Sequence, residues 1–256
     1  MRPQSVASPA GAAGFVVAGG RSTRMGTDKA LLAVAGRTLL AIALERLRAL
    51  PFSSPPRIAG SRPGLAAYAP VIEDIRPGCG PLGGVEAALA ASGEPLNLFL
   101  PVDLPLAPAE FLGWMLRRAR ISGALATYPR AGGIAQPVCA VYHRSLLPFL
   151  SRFLDAGVFK VSRVLEGAVE EMASREQWPE RSGKLIDVFD LELVAASDPE
   201  MYAFSSLPLH RWFQNCNTPE DLQALRLLAS RQSVAGRPGT EAAPFPAGGS
   251  GRREML

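Results

Sequence analysis

The chain has 256 residues, 48% of them hydrophobic and 20% charged, the composition of a globular protein with a real core and room for one large domain or two small ones. Its formal net charge is +4. Arg2 supplies one of these charges, and four arginines against two glutamates after residue 230 supply two more, so the body is close to neutral, which excludes a nucleic-acid footprint.

The three cysteines, Cys79, Cys139 and Cys216, are far apart, and only His143 and His210 accompany them. That argues against a disulfide framework or a zinc site and for reduced thiols in a cytoplasm. The early apolar stretch is short and broken by Gly and Pro, and no run approaches the ~18 apolar residues of a membrane span. Neither a secretory signal nor a membrane partner is expected.

In chain order, residues 1–13 are small and polar and read as a disordered tail. Phe15-Val16-Val17 is the short apolar run of a buried strand. It enters Gly19 and Gly20, then Arg21, Ser22, Thr23, Arg24, Gly26, Asp28 and Lys29. Residues 29–50 read as a helix, or as a short turn followed by one, with Leu39, Leu40, Ala43, Leu44, Leu47 and Leu50 at helical spacing and Pro51 as the stop. Residues 56–60 are a weak second strand and 70–74 (PVIED) a short third. Residues 76–84 (RPGCGPLGG) are rich in Gly and Pro and read as a loop, with an Ala-rich helix from Val85.

Residues 96–100 (LNLFL) are the clearest buried strand, running into Pro101-Val102-Asp103-Leu104-Pro105. A helix is expected from residue 107 or 108 to 120, a strand over 123–128, and a strand of different orientation over 136–142. Helices follow over 145–155 and 159–166. Residues 167–212 have no clear period, although 185–194 have strand character. Thr218 is a credible helix N-cap with Pro219 at the first helical position, for a helix to about residue 231. Residues 231–256 read as a disordered C-terminal tail.

Strands alternating with helices predict a three-layer α/β/α domain over residues 14–230, with a mostly parallel, Rossmann-like sheet. Ligands of such sheets sit at the carboxyl ends of the strands. Three informative groups fall there: the loop after Val17, Asp74 after PVIED, and Asp103 after LNLFL. A glycine-rich, hydroxyl-rich, cationic loop can cradle a phosphate, because glycine admits the backbone closely and N–H groups point at the anion. It is neither G-x-G-x-x-G nor a P-loop, and its plainer reading is a surface loop with two arginines and a lysine. Asp103 can hold a magnesium ion through a hard oxygen or simply cap the next helix. Arg24 and Lys29 can neutralise a triphosphate and its departing pyrophosphate or form a solvated basic face. Asp74 can accept the N1 and N2 protons of guanine or close a turn before Pro77. Covalent catalysis lacks support, since neither Gly-x-Ser-x-Gly nor a Cys/His pairing is present.

The stretch AGGRSTRMGTDKALLAVAGRTLL resembles the signature loop of the molybdenum cofactor guanylyltransferases, within the MobA-like nucleotidyltransferases. VIED, PGCGPLGG, the D-L-P strand end, QPVCAVYHRSLLPFLSRFLDAGVFKV and the closing N-x-N-T-P-E pattern extend the likeness. The departures are Val17 for the usual Leu, Ala59 where the family commonly shows an Asn, and residues 167–212, longer than usual and a possible lid, oligomer contact or specificity element. The resemblance implies transfer of GMP from GTP to the terminal phosphate of molybdopterin in the Mo-molybdopterin cofactor, with Mg²⁺ and release of pyrophosphate. It implies Val17, Ala18, Gly19, Gly20, Lys29, Asp74 and Asp103 as the GTP site, Asp103 as metal ligand, and Arg24, Lys29 and Asp103 as the catalytic set. Molybdoenzymes or cofactor-delivery proteins are implied as possible contacts. Asn215, Asn217 and Thr218 read as a structural cap. Cytidine-specific relatives tend to carry A-A-G where this chain has Ala18-Gly19-Gly20, which favours guanine. A sugar-phosphate nucleotidyltransferase and a non-catalytic nucleotide-binding homologue stay open, the latter against an intact Lys29 and Asp103.

Overall fold

The structure, a computed structural model, describes residues 11–19, 28–60, 62, 64–174 and 185–235. Strand β1 (Ala12–Val17) is followed by a small hairpin, β2 (Ala33–Val34) and β3 (Arg37–Thr38), and by helix α1 (Leu39–Arg48). Next come β4 (Arg57–Ala59), β5 (Val71–Ile72), α2 (Gly80–Ala91), β6 (Leu96–Pro101) and α3 (Ala109–Ser122). β7 (Ala126–Ala131) pairs with β8 (Ile134–Ala135) and leads to β9 (Ala140–His143). α4 (Leu147–Asp155), α5 (Val161–Ser174), β10 (Ile186–Asp190), α6 (Leu191–Ser197), α7 (Leu209–Trp212) and α8 (Pro219–Ala235) complete the chain.

The main sheet runs β5-β4-β1-β6-β9-β7-β10. β1 pairs in parallel with β4 and β6, β5 with β4, and β10 with β7. β9 is antiparallel to both β6 and β7, as its sequence position suggests. All six residues of β1 are buried, and so are the first five of β6, because helices cover both faces. That is why these strands read as continuous apolar runs instead of alternating ones.

One layer packs α1, α3, α6 and α8 on the sheet, with Phe111 and Trp212 in ring contact at 5.4 Å. The other packs α2, α4 and α5, with Phe15 stacked on Phe99 at 5.2 Å. α1 forms where its leucines recur at helical spacing. Its Thr38 cap accepts from the Ala41 N–H at 3.1 Å. Among the described residues no helix is long and apolar enough to cross a membrane.

Several stretches differ from the sequence expectation, among them 191–194, read with strand character and found as the start of α6. The Gly/Pro run 76–84 is half helix: α2 begins at Gly80, with Pro81 in its first turn, where the missing N–H breaks no intrahelical bond. β7 begins three residues late and runs to Ala131, and α5 continues past Glu166 to Ser174. Within 167–212, β10 extends the main sheet beside β7 and Trp212 is fully buried, so these parts are woven into the core. Of the expected tails, Ala12 and Ala13 are buried in β1, Gly11 leads into it, and 231–235 finish α8; the rest lie outside the described residues.

Candidate active site

Because β1, β4, β5, β6 and β7 run the same way, their carboxyl ends share one edge of the sheet. Lys29 opens a short 3₁₀ turn (Lys29–Leu31) beyond the β1 loop. Asp28 caps that turn, its Oδ1 accepting from the Ala30 N–H at 3.0 Å, and it pairs with Arg62 beyond β4 at 3.2 Å. The turn is thereby tied to a second strand end, which aims Lys29.

Lys29 Nζ donates to Asp103 Oδ2 at 2.8 Å and also to Asn217 Oδ1. The two charged side chains are only 14% and 25% exposed, so they meet in a partly desolvated place where their charges act strongly. The Asp103 carbonyl accepts from the Cys216 N–H at 3.0 Å, which brings the chain before α8 to the end of β6. There Asp221 Oδ2 accepts from the Asn217 and Thr218 N–H groups, both at 2.9 Å, while Thr218 Oγ1 accepts from the Asp221 N–H at 3.2 Å. This reciprocal cap is made by Thr218 and Asp221, and the Asn217 side chain goes to Lys29 instead. The purely structural reading of the N-x-N-T-P-E stretch is therefore incomplete. Two amides spaced by two residues, more than a cap needs, were the signal for it.

A cavity of about 330 Å³ opens at this point. Val17, Gly19, Lys29 and Asp103 form one wall; residues 135–139 face them, with Pro81 and Asn215 at the sides. Among the described residues, its chain neighbours aside, a Cβ built on Gly19 would meet no atom within 4 Å, which leaves room beside this glycine on the cavity wall. Gly60 differs. Its φ is +137°, and a Cβ there would lie 3.0 Å from the Gly19 nitrogen, so only glycine lets β4 close against the β1 loop. Ala18 is buried, and its N–H donates to the Ala59 carbonyl at 3.0 Å. Ala59 is itself buried, facing Gly84 of α2.

Asp74 lies past β5, half-buried against Gly83 and Gly84, and is not among the residues lining the cavity. Burial pushes its carboxyl above the ordinary value. Cys139, on the cavity wall, is pushed up to about 12 by burial and then by the Asp103 charge; a thiol this reluctant to ionise is no nucleophile. Of the expected site residues, Val17, Gly19, Lys29 and Asp103 meet at the cavity, and Ala18 supports it from below. Gly20 and Arg24 lie outside the described residues. Among the described residues no group of three or more His, Cys, Asp or Glu could hold a metal. A single carboxylate suits Mg²⁺ nonetheless, since that ion keeps waters and takes further oxygens from substrate phosphates.

The model of the MobA-like NTP transferase domain matches residues 14–172. The chain belongs to the MobA-like NTP transferase family. A molybdenum cofactor guanylyltransferase of Serratia proteamaculans (strain 568) is 35% identical over 161 residues, covering 60% of this chain and 79% of that protein. One from Xanthomonas euvesicatoria pv. vesicatoria (strain 85-10) is 31% identical over 216 residues, 83% of this chain and 93% of that protein. The fold of this MobA-like chain matches the crystal structure of molybdopterin-guanine dinucleotide biosynthesis protein A from Archaeoglobus fulgidus with a TM-score of 0.65, at 22% identity, over 85% of this chain and 98% of that one. It also matches the manganese complex of Rv0371C from Mycobacterium tuberculosis H37Rv, with a TM-score of 0.52 at 16% identity, over 85% and 98%.

Proposed function

We propose that this protein transfers GMP from GTP to the terminal phosphate of molybdopterin in the Mo-molybdopterin cofactor and releases pyrophosphate. An acceptor phosphate oxygen forms the new bond to the α-phosphorus as the bond to the bridging oxygen of pyrophosphate breaks. No protein nucleophile is required, in keeping with a cavity whose one thiol is held protonated. The observation that carries the reading is the meeting of Lys29, Asp103 and Asn217 at a cavity backed by Gly19. Membership of the MobA-like family and the two guanylyltransferase relatives support the choice of reaction.

The roles follow from position. Gly19 leaves room for the phosphates, and Lys29 supplies a cation where charge accumulates on the leaving pyrophosphate. Asn217 holds Lys29 at that wall. Asp103 would hold Mg²⁺, which when bound neutralises phosphate charge and orients the triphosphate. Asp74, beyond β4 on the same edge, would meet the guanine. The test is pyrophosphate release by the purified protein with GTP, Mg²⁺ and Mo-molybdopterin, run beside CTP and beside a sugar 1-phosphate. Release with GTP and the pterin acceptor is expected. Release only with CTP, only with the sugar phosphate, or with none would replace the proposal by one of those alternatives or by a non-catalytic role.

A further inference from the structure

We propose that Arg76 is a positioning residue for base recognition: gripped by Glu86 and Asp155, it holds the segment that carries Asp74 against α2 and so sets the preference for guanine. The inference rests on the reading of Asp74 as the residue that meets the base, and adds what fixes that carboxylate in place.

Glu86 sits in the second turn of α2 with 2% exposure. A carboxylate so buried needs a partner that stays charged. Arg76 provides it, its Nε donating to both Glu86 oxygens at 3.1 and 3.0 Å while Nη1 donates to Asp155 at the end of α4. One guanidinium thereby joins the loop after β5 to two helices. β5 is a two-residue strand at the sheet edge, its residues only half-buried, and Ile75, between Asp74 and Arg76, is 57% exposed.

Below the clamp the backbone is pressed onto the helix. A Cβ on Gly83 would lie 3.2 Å from the Arg76 carbonyl oxygen and 3.9 Å from Asp74 Cγ; one on Gly84 would lie 3.6 Å from Asp74 Oδ1 and 3.5 Å from Ala59 Cβ. The Gly83-Gly84 pair admits the loop, and the Arg76 clamp draws it down. Asp74 thus lies between the end of β4 and the start of α2. Burial raises its carboxyl, as expected of a group held in a partly dry position before ligand arrives. An arginine fits this task because its fork engages a carboxylate and a second acceptor at fixed angles, which a lysine does not.

The experiment compares GTP with ITP, which lacks the 2-amino donor, by calorimetric titration of the full chain with Mg²⁺. The proteins are the wild type, Asp74→Ala, Arg76→Ala and the double variant Arg76→Ala/Glu86→Leu. The wild type is expected to favour GTP by about tenfold or more, the scale of one hydrogen bond to a charged acceptor. Asp74→Ala and Arg76→Ala should both lose most of that preference. The double variant removes the buried charge along with its partner, so it should recover melting temperature but not the GTP preference. A merely structural clamp would recover both, and a wild-type GTP/ITP ratio in the double variant overturns the inference. If Asp74→Ala keeps the ratio, the base role of Asp74 fails first and the clamp role with it. If only the Arg76 variants keep it, the clamp role alone is wrong.

Discussion

Two ion pairs in this protein have similar lengths and opposite surroundings. Arg118 on α3 grips Asp187 on β10 through Nε at 2.6 Å and Nη2 at 2.8 Å, and its guanidinium lies 5.5 Å over the Trp114 ring and 4.8 Å over the Phe189 ring. That pair joins a helix to an edge strand across packed aromatic surface. Lys29 and Asp103 meet at 2.8 Å, but they come from two loops, face a cavity, and share a third partner, Asn217. The first pair is held by regular elements that need it. The second is held by loops that have no packing use for two charges at that spot. A charged pair placed by loops at the carboxyl edge of a parallel sheet stands where ligands bind, whereas one locked between a helix and a strand is costly to break from one side.

The comparison can be broken from either side. The largest effect belongs to Asp103→Asn: turnover should fall by about a thousandfold or more, as for loss of a group acting on transition-state charge, while the melting temperature stays near that of the wild type. A clear loss of stability with activity intact would move this pair into the structural class. Arg118→Ala should do the reverse. It leaves Asp187, 7% exposed, without its fork, at about 2 kcal/mol of folding stability, less than for a fully buried pair because Arg118 is partly exposed. Urea unfolding would read the loss, and kcat should be unchanged.

Smaller effects sharpen the boundary. Asn217→Ala should lower kcat by about tenfold by removing one of the bonds that position Lys29, with little change in stability because the cap is made by Thr218 and Asp221. A wild-type kcat would return Asn217 to a purely structural role. The smallest expected effect is that of Asp221→Asn, and it depends on pH. The Asn217 N–H, followed by the Thr218 N–H, holds the Asp221 carboxyl below its ordinary value. A depressed folded-state pKa gives stability that is fully present above the unfolded-state value and fades as pH falls through the folded one. The wild type should therefore exceed the variant at pH 7 and converge on it in acid, as followed by unfolding at both pH values.

Much of the fold was legible because burial on both faces writes parallel strands as apolar runs. Phe15-Val16-Val17 and LNLFL needed no more than that. Asp103 was legible for a related reason, since a polar residue just past such a run lands on the ligand edge, whereas Lys29 stands beyond the β1 loop and was singled out by its cationic, glycine-rich surroundings. Residues 76–84 were misread because Gly and Pro are turn residues by propensity, whereas Gly80, Pro81, Gly83 and Gly84 serve a helix that another backbone presses upon. The Asn217 bond to Lys29 was not legible because a cap and a long-range contact are spelled with the same amide.

The sequence alone pointed to which strand ends carry polar and charged groups, through local hydrophobicity and the residues that follow it. Distances between those ends were decided only by the tertiary structure. Lys29 and Asp103 are 74 positions apart, and Lys29 and Asn217 are 188 apart; no local pattern encodes such a meeting. It follows from the pairing of β1 with β6 and from the single N–H of Cys216 that draws the start of α8 to Asp103. Interaction range is the physical reason: propensity and periodicity act over a few residues, whereas a site at a sheet edge is assembled by strand order.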